Sequence, residues 1–527
     1  MSHDTHVDNP NGVGYFGLIG LVVSSCIGSG VFALTGQLAN VASPGAALLA
    51  WLICGAGFLF LALSISNVGA KRPDLDGICA YAEEGFGPFH GFVSGWGYWL
   101  SAWLGNVGFG TMVAQVLGSD YCLGGLLPGV FSDPVTGNPA IGGVIIVSLV
   151  LWAITFLVIR GVESAAFLNA VVMVVKIASI LVFIAFAIFS FNAGLFTADF
   201  WGTVERNATV LAANGAGLGG VANQIVQCVL ILMWAFIGVE GASVMSGRAR
   251  RRSEVGSATV LGLGVLLALY IGASIIPYGV MDYADLIAAP KPATISVFEY
   301  MAPGWGGAFI SWAIIISVCG SWLSFTMLPA ETSSMMSEHH LLPASWNKMN
   351  AKGAPQMALL IVGVLTEVFI IVATFAADAY TFAISMCTVT IAITWAYAAA
   401  YQIKLSRERH EPMQMAFGVI ALAFQVVGVL MTGWGFLLLA CLGYLPGFFF
   451  YKKARHEAGE SLTKHDWVFI AVFAVFAVVS IPLTAAGIIA VFERALAGRG
   501  GRALASAPRL RRRRRRCGPI WVHRFMS

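Results

Sequence analysis

Runs of about twenty apolar residues recur along nearly the whole chain, each long enough to cross roughly 30 Å of hydrocarbon. Lipid offers no hydrogen-bond partners, so a segment crossing it must satisfy its own backbone, as a helix or within a closed barrel. Barrel strands need only about ten residues, so runs of this length predict an all-α integral membrane protein. Charge agrees: 11% of the 527 residues are Asp, Glu, Lys or Arg, against about a quarter in soluble domains. The nine cysteines are scattered, mostly inside apolar runs, without CxxC or paired-His spacing. That argues against a disulfide framework or a zinc module, and no metal or cofactor is expected.

Thirteen segments can be read: 14–36, 44–69, 87–118, 141–160, 164–192, 224–247, 256–281, 307–336, 356–376, 379–402, 413–432, 434–451 and 466–492. Lys and Arg collect in alternate connections, and membrane proteins keep them on the cytoplasmic side. With the N-terminus cytoplasmic, sixteen fall in inner connections and two, Arg206 and Lys291, in outer ones before the last segment. A multi-pass protein of the plasma (inner) membrane is expected. Residues 1–13 are polar and lack Lys and Arg, unlike a signal peptide. The tail, 493–527, carries eleven Arg, including the run Arg511–Arg516, and changes composition abruptly. An odd number of crossings would leave that tail outside, against the charge rule. It reads as a disordered extension with no part in function.

The first segment interrupts itself. Gly28-Ser29-Gly30 sits at its centre, where almost no side chain holds helical geometry. About 200 residues later Gly238 and Gly241 bracket Glu240 in a second apolar run. Close helix packing accounts for many glycines in membrane helices, but it does not account for an acid between two of them. A weakened segment near the start of each of two halves points to an inverted repeat, with discontinuous first and sixth helices and a binding site between them. The expected architecture is a five-plus-five repeat with two or three extra C-terminal spans. Its parts are 1–13 (cytoplasmic N-terminus), 14–192 (first repeat), 193–402 (second repeat), 403–492 (additional spans) and the tail.

The residues GSGVF from Gly28 and WAFIGVEG over 234–241 resemble the amino acid–polyamine–organocation transporter superfamily. The segment YWLSAWLGN, 98–106, and the loop Ser246–Val260 are most similar to its basic amino acid/polyamine antiporters, closest to the arginine/ornithine antiporter group. The resemblance runs from about Gly14 to the segment near 490. It implies a secondary transporter that exchanges cationic amino acids, arginine for ornithine first among them, and that is no enzyme.

Gly28, Ser29 and Gly30 would offer backbone N–H groups at a helix start, a natural seat for a carboxylate. The resemblance assigns them the substrate's α-carboxylate, with Ile27 beside them, and choice of substrate can be tuned just upstream at Ser25 and Cys26. It gives the α-amino group to carbonyls near Phe236, Ile237 and Gly238, and sets Trp234 over the substrate's aliphatic and cationic part. Asn106 would meet the far end of the substrate. Phe325 stands where close relatives carry a tryptophan, which keeps a π-face and loses the indole N–H. Lys176, deep in the fifth segment, resembles sodium-independent members whose ammonium takes the ion's place between the first, fifth and eighth helices. Glu240 is a functional candidate by its depth alone, as a sensor or as a structural acid. Tyr98 is a candidate external gate.

Glu83 and Glu84, in a cytoplasmic loop, and Glu331 and Glu338, near the inner end of the eighth segment, read as outside the site; His339 and His340 read as solvated, and Glu367 in the ninth segment has no role by this reading. A proton-coupled symporter, or exchange of lysine, agmatine or another polyamine, remains an alternative. An intramembrane enzyme would need a nucleophile–base pair or metal ligands on one span, and none is seen. The expected partners are a small cationic amino acid and membrane lipid, with no nucleic acid. A homodimer through spans eleven to thirteen is also compatible with this reading.

Overall fold

The computed structural model describes residues 12–75, 77–133, 137–204, 207, 218–244, 249–374, 379–432 and 434–485. The Arg-rich tail, most of the N-terminus, Arg206 and the Ser246–Arg248 part of the basic loop lie outside the described residues. The described residues are mostly helical, with isolated bridges such as Val13 with Ala249 in place of strands. In chain order the helices are α1 (Tyr15–Cys26), α2 (Ser29–Ala39), α3 (Pro44–Lys71), α4 (Gly77–Phe86), α5 (Pro88–Leu117), α6 (Ile141–Arg160) and α7 (Val162–Phe189). Then follow α8 (Ala193–Ala198), α9 (Val221–Ala235), α10 (Gly241–Val244), α11 (Val255–Ile275), α12 (Tyr283–Ala288), α13 (Ala293–Met301) and α14 (Gly306–Glu338). The series ends with α15 (Gln356–Ala373), α16 (Ala379–Glu408), α17 (Pro412–Thr432), α18 (Trp434–Glu457) and α19 (Lys464–Ala485).

Among the described residues, eleven helices are long and apolar enough to cross a membrane. The two segments missing from that set are the interrupted ones. The run expected over 14–36 divides into α1 and α2, and the run expected over 224–247 into α9 and α10. Together these occupy the thirteen places read from the sequence. Prolines at the first position of α3 and α5 start them cleanly, since the N–H they lack would have no partner there.

Burial sorts the helices. The apolar window of α5 is 94% buried, whereas that of α19 is 11% buried. α5 therefore sits at the centre, packed by α14 on one side and α16 on another, with α11 against α1 and α3. This is why α5 can carry so many glycines and tryptophans: its surroundings are protein, and small residues let neighbours approach. α14 runs for 33 residues, about 50 Å, with Pro329 inside it.

At the ends bearing the basic loops, polar groups pair instead of facing water alone. Arg72 binds Asp74 and Glu84, and its guanidinium also donates to the Tyr401 hydroxyl at 3.0 Å. Lys71 pairs with Glu411, and Lys404 donates to the Gly85 carbonyl at 2.7 Å. His339 is not simply solvated, because its Nδ1 lies 2.6 Å from Glu83 Oε2. Glu367 also finds a partner, since Ser148 Oγ on α6 donates to its Oε1 at 2.7 Å.

The loop after α14 is pinned by one side chain. Asn350 Nδ2 donates to the Ile159 carbonyl at the end of α6 (2.7 Å), and its Oδ1 accepts from Lys352 N (2.8 Å) and Ala354 N (3.1 Å). Asn350→Ala removes all three bonds and is expected to lower unfolding stability by about 1–3 kcal/mol. Lys352→Ala, on the exposed rim, should stay within about 0.5 kcal/mol. Thermal unfolding of both variants in one detergent checks the difference.

Candidate functional site

The first break is short. Ile27 N–H still bonds Val23 O at 3.0 Å, and Gly28 N–H turns back onto Cys26 O at 2.8 Å. α2 then begins at Ser29 with no side-chain cap, which leaves its first amide N–H groups without intrahelical partners. Together with the positive end of the helix dipole, those donors suit an anion such as a carboxylate.

The second break is a chain of tight turns. Ile237 N–H bonds Trp234 O at 3.2 Å, Val239 N–H bonds Phe236 O at 3.1 Å, and Gly241 N–H bonds Gly238 O at 2.8 Å. Gly238 has φ +106°, a left-handed conformation that a side chain would strain.

The breaks bond to each other. Ser25 Oγ lies 2.7 Å from Gly238 O and 2.6 Å from Leu21 O, so its proton is shared between its own helix and the facing break. Cys26 Sγ donates to Phe236 O at 3.6 Å. A Cβ on Gly238 would sit 2.8 Å from the Ser25 carbonyl carbon, so the approach requires glycine. The carbonyls of Phe236 and Gly238 are thus already engaged.

Neighbouring helices hold both breaks in place. Lys176 Nζ on α7 donates to Ile27 O (2.9 Å) and to Ser321 Oγ on α14 (3.0 Å), and Ser321 Oγ itself donates to Ile27 O at 2.5 Å. An ammonium therefore stands among the first, fifth and eighth segments. Glu240 is fully buried. Its Oε1 accepts from Gly238 N (3.2 Å), and its Oε2 accepts from Trp395 Nε1 on α16 (3.0 Å).

Beside the breaks lies a cavity of about 10 Å³ lined by Ser25, Cys26, Gly30, Phe109, Trp234, Ala235, Ile237 and Phe325. That is on the order of one water, far below the several hundred Å³ of small-molecule sites. As it stands the cavity is too small to hold an amino acid. Gly30 lets the second break come close: a Cβ there would lie 3.4 Å from Ala235 Cα and 3.7 Å from Trp234 Nε1. Buried Ser29 Oγ, Trp234 Nε1 and both amide atoms of Asn106 have no hydrogen-bond partner among the described residues. Buried polar groups of this kind are expected to meet a ligand or water.

Not every expected residue reaches the cavity. Cys26, Gly30, Trp234, Ile237 and Phe325 line it, and Gly28 borders it through Phe109, whose Cε1 would be 2.7 Å from a Cβ on Gly28. The Phe236 ring turns away, 4.3 Å from Phe58 and 6.0 Å from Trp51 between centroids, so only its backbone bears on the site. Asn106 and Tyr98 are buried on α5 and do not line the cavity. Phe109 was missed by sequence reasoning. Its ring meets Phe325 edge-on at 5.1 Å and Trp234 at 6.5 Å. The available signal was its position three residues after Asn106, one turn along the same helix. The tie from Ser25 to Gly238 and the donor Trp395 had no local signal, because both act across more than 150 residues of chain.

The amino acid permease family profile matches residues 13–490 of the chain. A protein of Latilactobacillus sakei named arginine/ornithine antiporter is 43% identical over 485 residues, which covers 91% of this chain and 98% of that protein. One of Pseudomonas aeruginosa with the same name is 35% identical, covering 84% of this chain and 91% of its own length. An arginine/agmatine antiporter of Chlamydia felis is 31% identical, covering 86% and 91%.

Gly238→Ala combines a strained φ with a clash against Ser25, and a loss of about 1–3 kcal/mol or more is expected. Trp395→Phe keeps an aromatic ring but loses the donor to Glu240 and the volume of the indole's second ring, which together should lower stability by about 1–3 kcal/mol or more. Unfolding midpoints of the two variants, compared with the parent protein, test both.

Proposed function

The chain belongs to the amino acid permease family, and on that premise we propose that it exchanges arginine for ornithine across a membrane by alternating access. What carries this reading is the similarity to arginine/ornithine antiporters along nearly their whole length. The uncapped start of α2 at Ser29 and Gly30 would take the α-carboxylate. Ornithine retains that carboxylate, whereas a decarboxylated amine would leave the seat unused, which favours the pair with two carboxylates. Trp234, Phe109 and Phe325 would enclose the aliphatic stem and the cation, where each aromatic face contributes roughly 0.5–2 kcal/mol. The unpartnered amide of Asn106 supports a role at the far end of the substrate.

Lys176 fits a fixed cation that ties the first break to α7 and α14. Residues 14–192 and 193–402 are read as the two repeats, followed by the additional spans. The N-terminus is placed in the cytoplasm by the basic loops, in the plasma (inner) membrane, and the peripheral C-terminal spans are available for a homodimer. In this orientation Tyr98 lies about 12 Å from Asn106 toward the cytoplasmic end of α5, so a gating role for it would be internal rather than external. Glu240 reads as a structural acid that joins the second break to α16.

Counterflow in proteoliposomes tests the proposal. Labelled arginine should accumulate at least tenfold faster in vesicles loaded with ornithine than in empty ones. Equal uptake into empty vesicles would defeat obligate exchange, and uptake that followed an acid-outside gradient would favour the proton symporter. The parent activity should be independent of sodium. Lys176→Met should lose exchange by tenfold or more, with no rescue by sodium.

A further inference from the structure

The connection between α18 and α19 carries more positive charge than it neutralises. Arg455 pairs with Glu460, and Lys453 Nζ lies 3.9 Å from Glu457 Oε1, while Glu457 Oε2 also accepts from Ala344 N at 3.0 Å. Asp466 is buried and engaged in its own turn, with Oδ2 accepting from Thr463 N at 2.9 Å and Oδ1 lying 3.9 Å from His465 Nδ1. His465 packs against His90 and Phe469, away from this face. Once these acids are assigned, Lys452 and Lys464 remain without a carboxylate partner among the described residues.

One lysine stands over an indole, and the other shares its helix face. Lys452 Nζ stands 5.6 Å from the centre of the Trp467 ring, and Lys464 precedes Trp467 by three residues on α19, on the same helix face. Trp467 is 50% exposed, and beside it Phe449 and Val468 are 67% and 61% exposed. Phe449 lies one turn before Lys452, and Val468 one turn after Lys464. Two packed helices thus present an apolar patch, an indole and then two ammonium groups, in the order a lipid presents acyl chain, interface and headgroup. Lys464 also opens its helix, where the dipole disfavours a cation, and an anion bound beside it would offset that.

We infer that Lys452, Lys464 and Trp467 form a binding site for an anionic phospholipid, with its phosphate between the two ammonium groups and its acyl chain along Phe449 and Val468. Free phosphate offers the same headgroup charge and none of the apolar contact, so the site selects lipid.

The test uses the full-length protein in neutral detergent, with the thermal unfolding midpoint followed as phosphatidylglycerol, phosphatidylcholine or inorganic phosphate is added. Phosphatidylglycerol alone should raise the midpoint. Its apparent affinity should fall about fivefold for K452Q or K464Q and roughly 25-fold for the pair. The lipid-free midpoint should be unchanged, K452R/K464R should keep the preference, and K348Q/K352Q, which removes two lysines from another loop, should keep it too. An equal response to phosphatidylcholine or to inorganic phosphate overturns the proposal. So does an undiminished preference in K452Q/K464Q, or an equal loss in K348Q/K352Q, which would mean diffuse surface charge rather than a site.

Discussion

The structure depends on two interrupted helices satisfying each other inside a membrane. Backbone groups freed by a break cannot turn to water there. Here the Ser25 hydroxyl and the Cys26 thiol from the first break reach the Gly238 and Phe236 carbonyls of the second. The exchange adds a side-chain donor to two carbonyls that already accept turn N–H groups, while Lys176 and Ser321 meet the Ile27 carbonyl. What it leaves is the uncapped start of α2 and the unpartnered polar atoms of Ser29, Trp234 and Asn106. Those leftover donors and acceptors are what the proposed site would use.

Each break is moored to a different part of the bundle. Lys176 and Ser321 converge on one carbonyl, that of Ile27, and tie the first break to α7 and α14. Glu240 and Trp395 tie the second to α16. The moorings are hydrogen bonds of 2.5–3.0 Å to side chains of three neighbouring helices. The contact between the breaks is a shared hydroxyl and a long thiol bond, so it is the weaker link. Motion between the two groups of helices would be taken up there, beside the cavity.

Much of this was legible in the sequence because lipid enforces simple rules. Helix existence followed from apolar length alone, and both interruptions were visible as Gly28-Ser29-Gly30 and as glycines around Glu240. Lys176 was conspicuous because a lysine is rare so deep in a span. Other features had no local mark. The partners of Glu240 and Ser25 lie 155 and 213 residues away, and no periodicity announces them. Phe109 looked like any apolar residue of a buried helix, and only packing showed that it covers Gly28. The direction of the Phe236 ring was likewise set by Phe58 and Trp51, four segments earlier in the chain. His339 looked like a loop residue until folding brought Glu83 beside it.

The contrast in burial between α5 and α19 also gives a map of where the chain can absorb change. A helix surrounded by protein has its side-chain volume fixed on every side, so even one added methylene must displace a neighbour. A helix surrounded by lipid meets a fluid that reshapes itself around it. Variation over evolutionary time should therefore gather on α19 and thin out on α5. For the same reason, a fluorophore or spin label intended to leave the protein undisturbed belongs on the outward face of α19, away from Lys464 and Trp467.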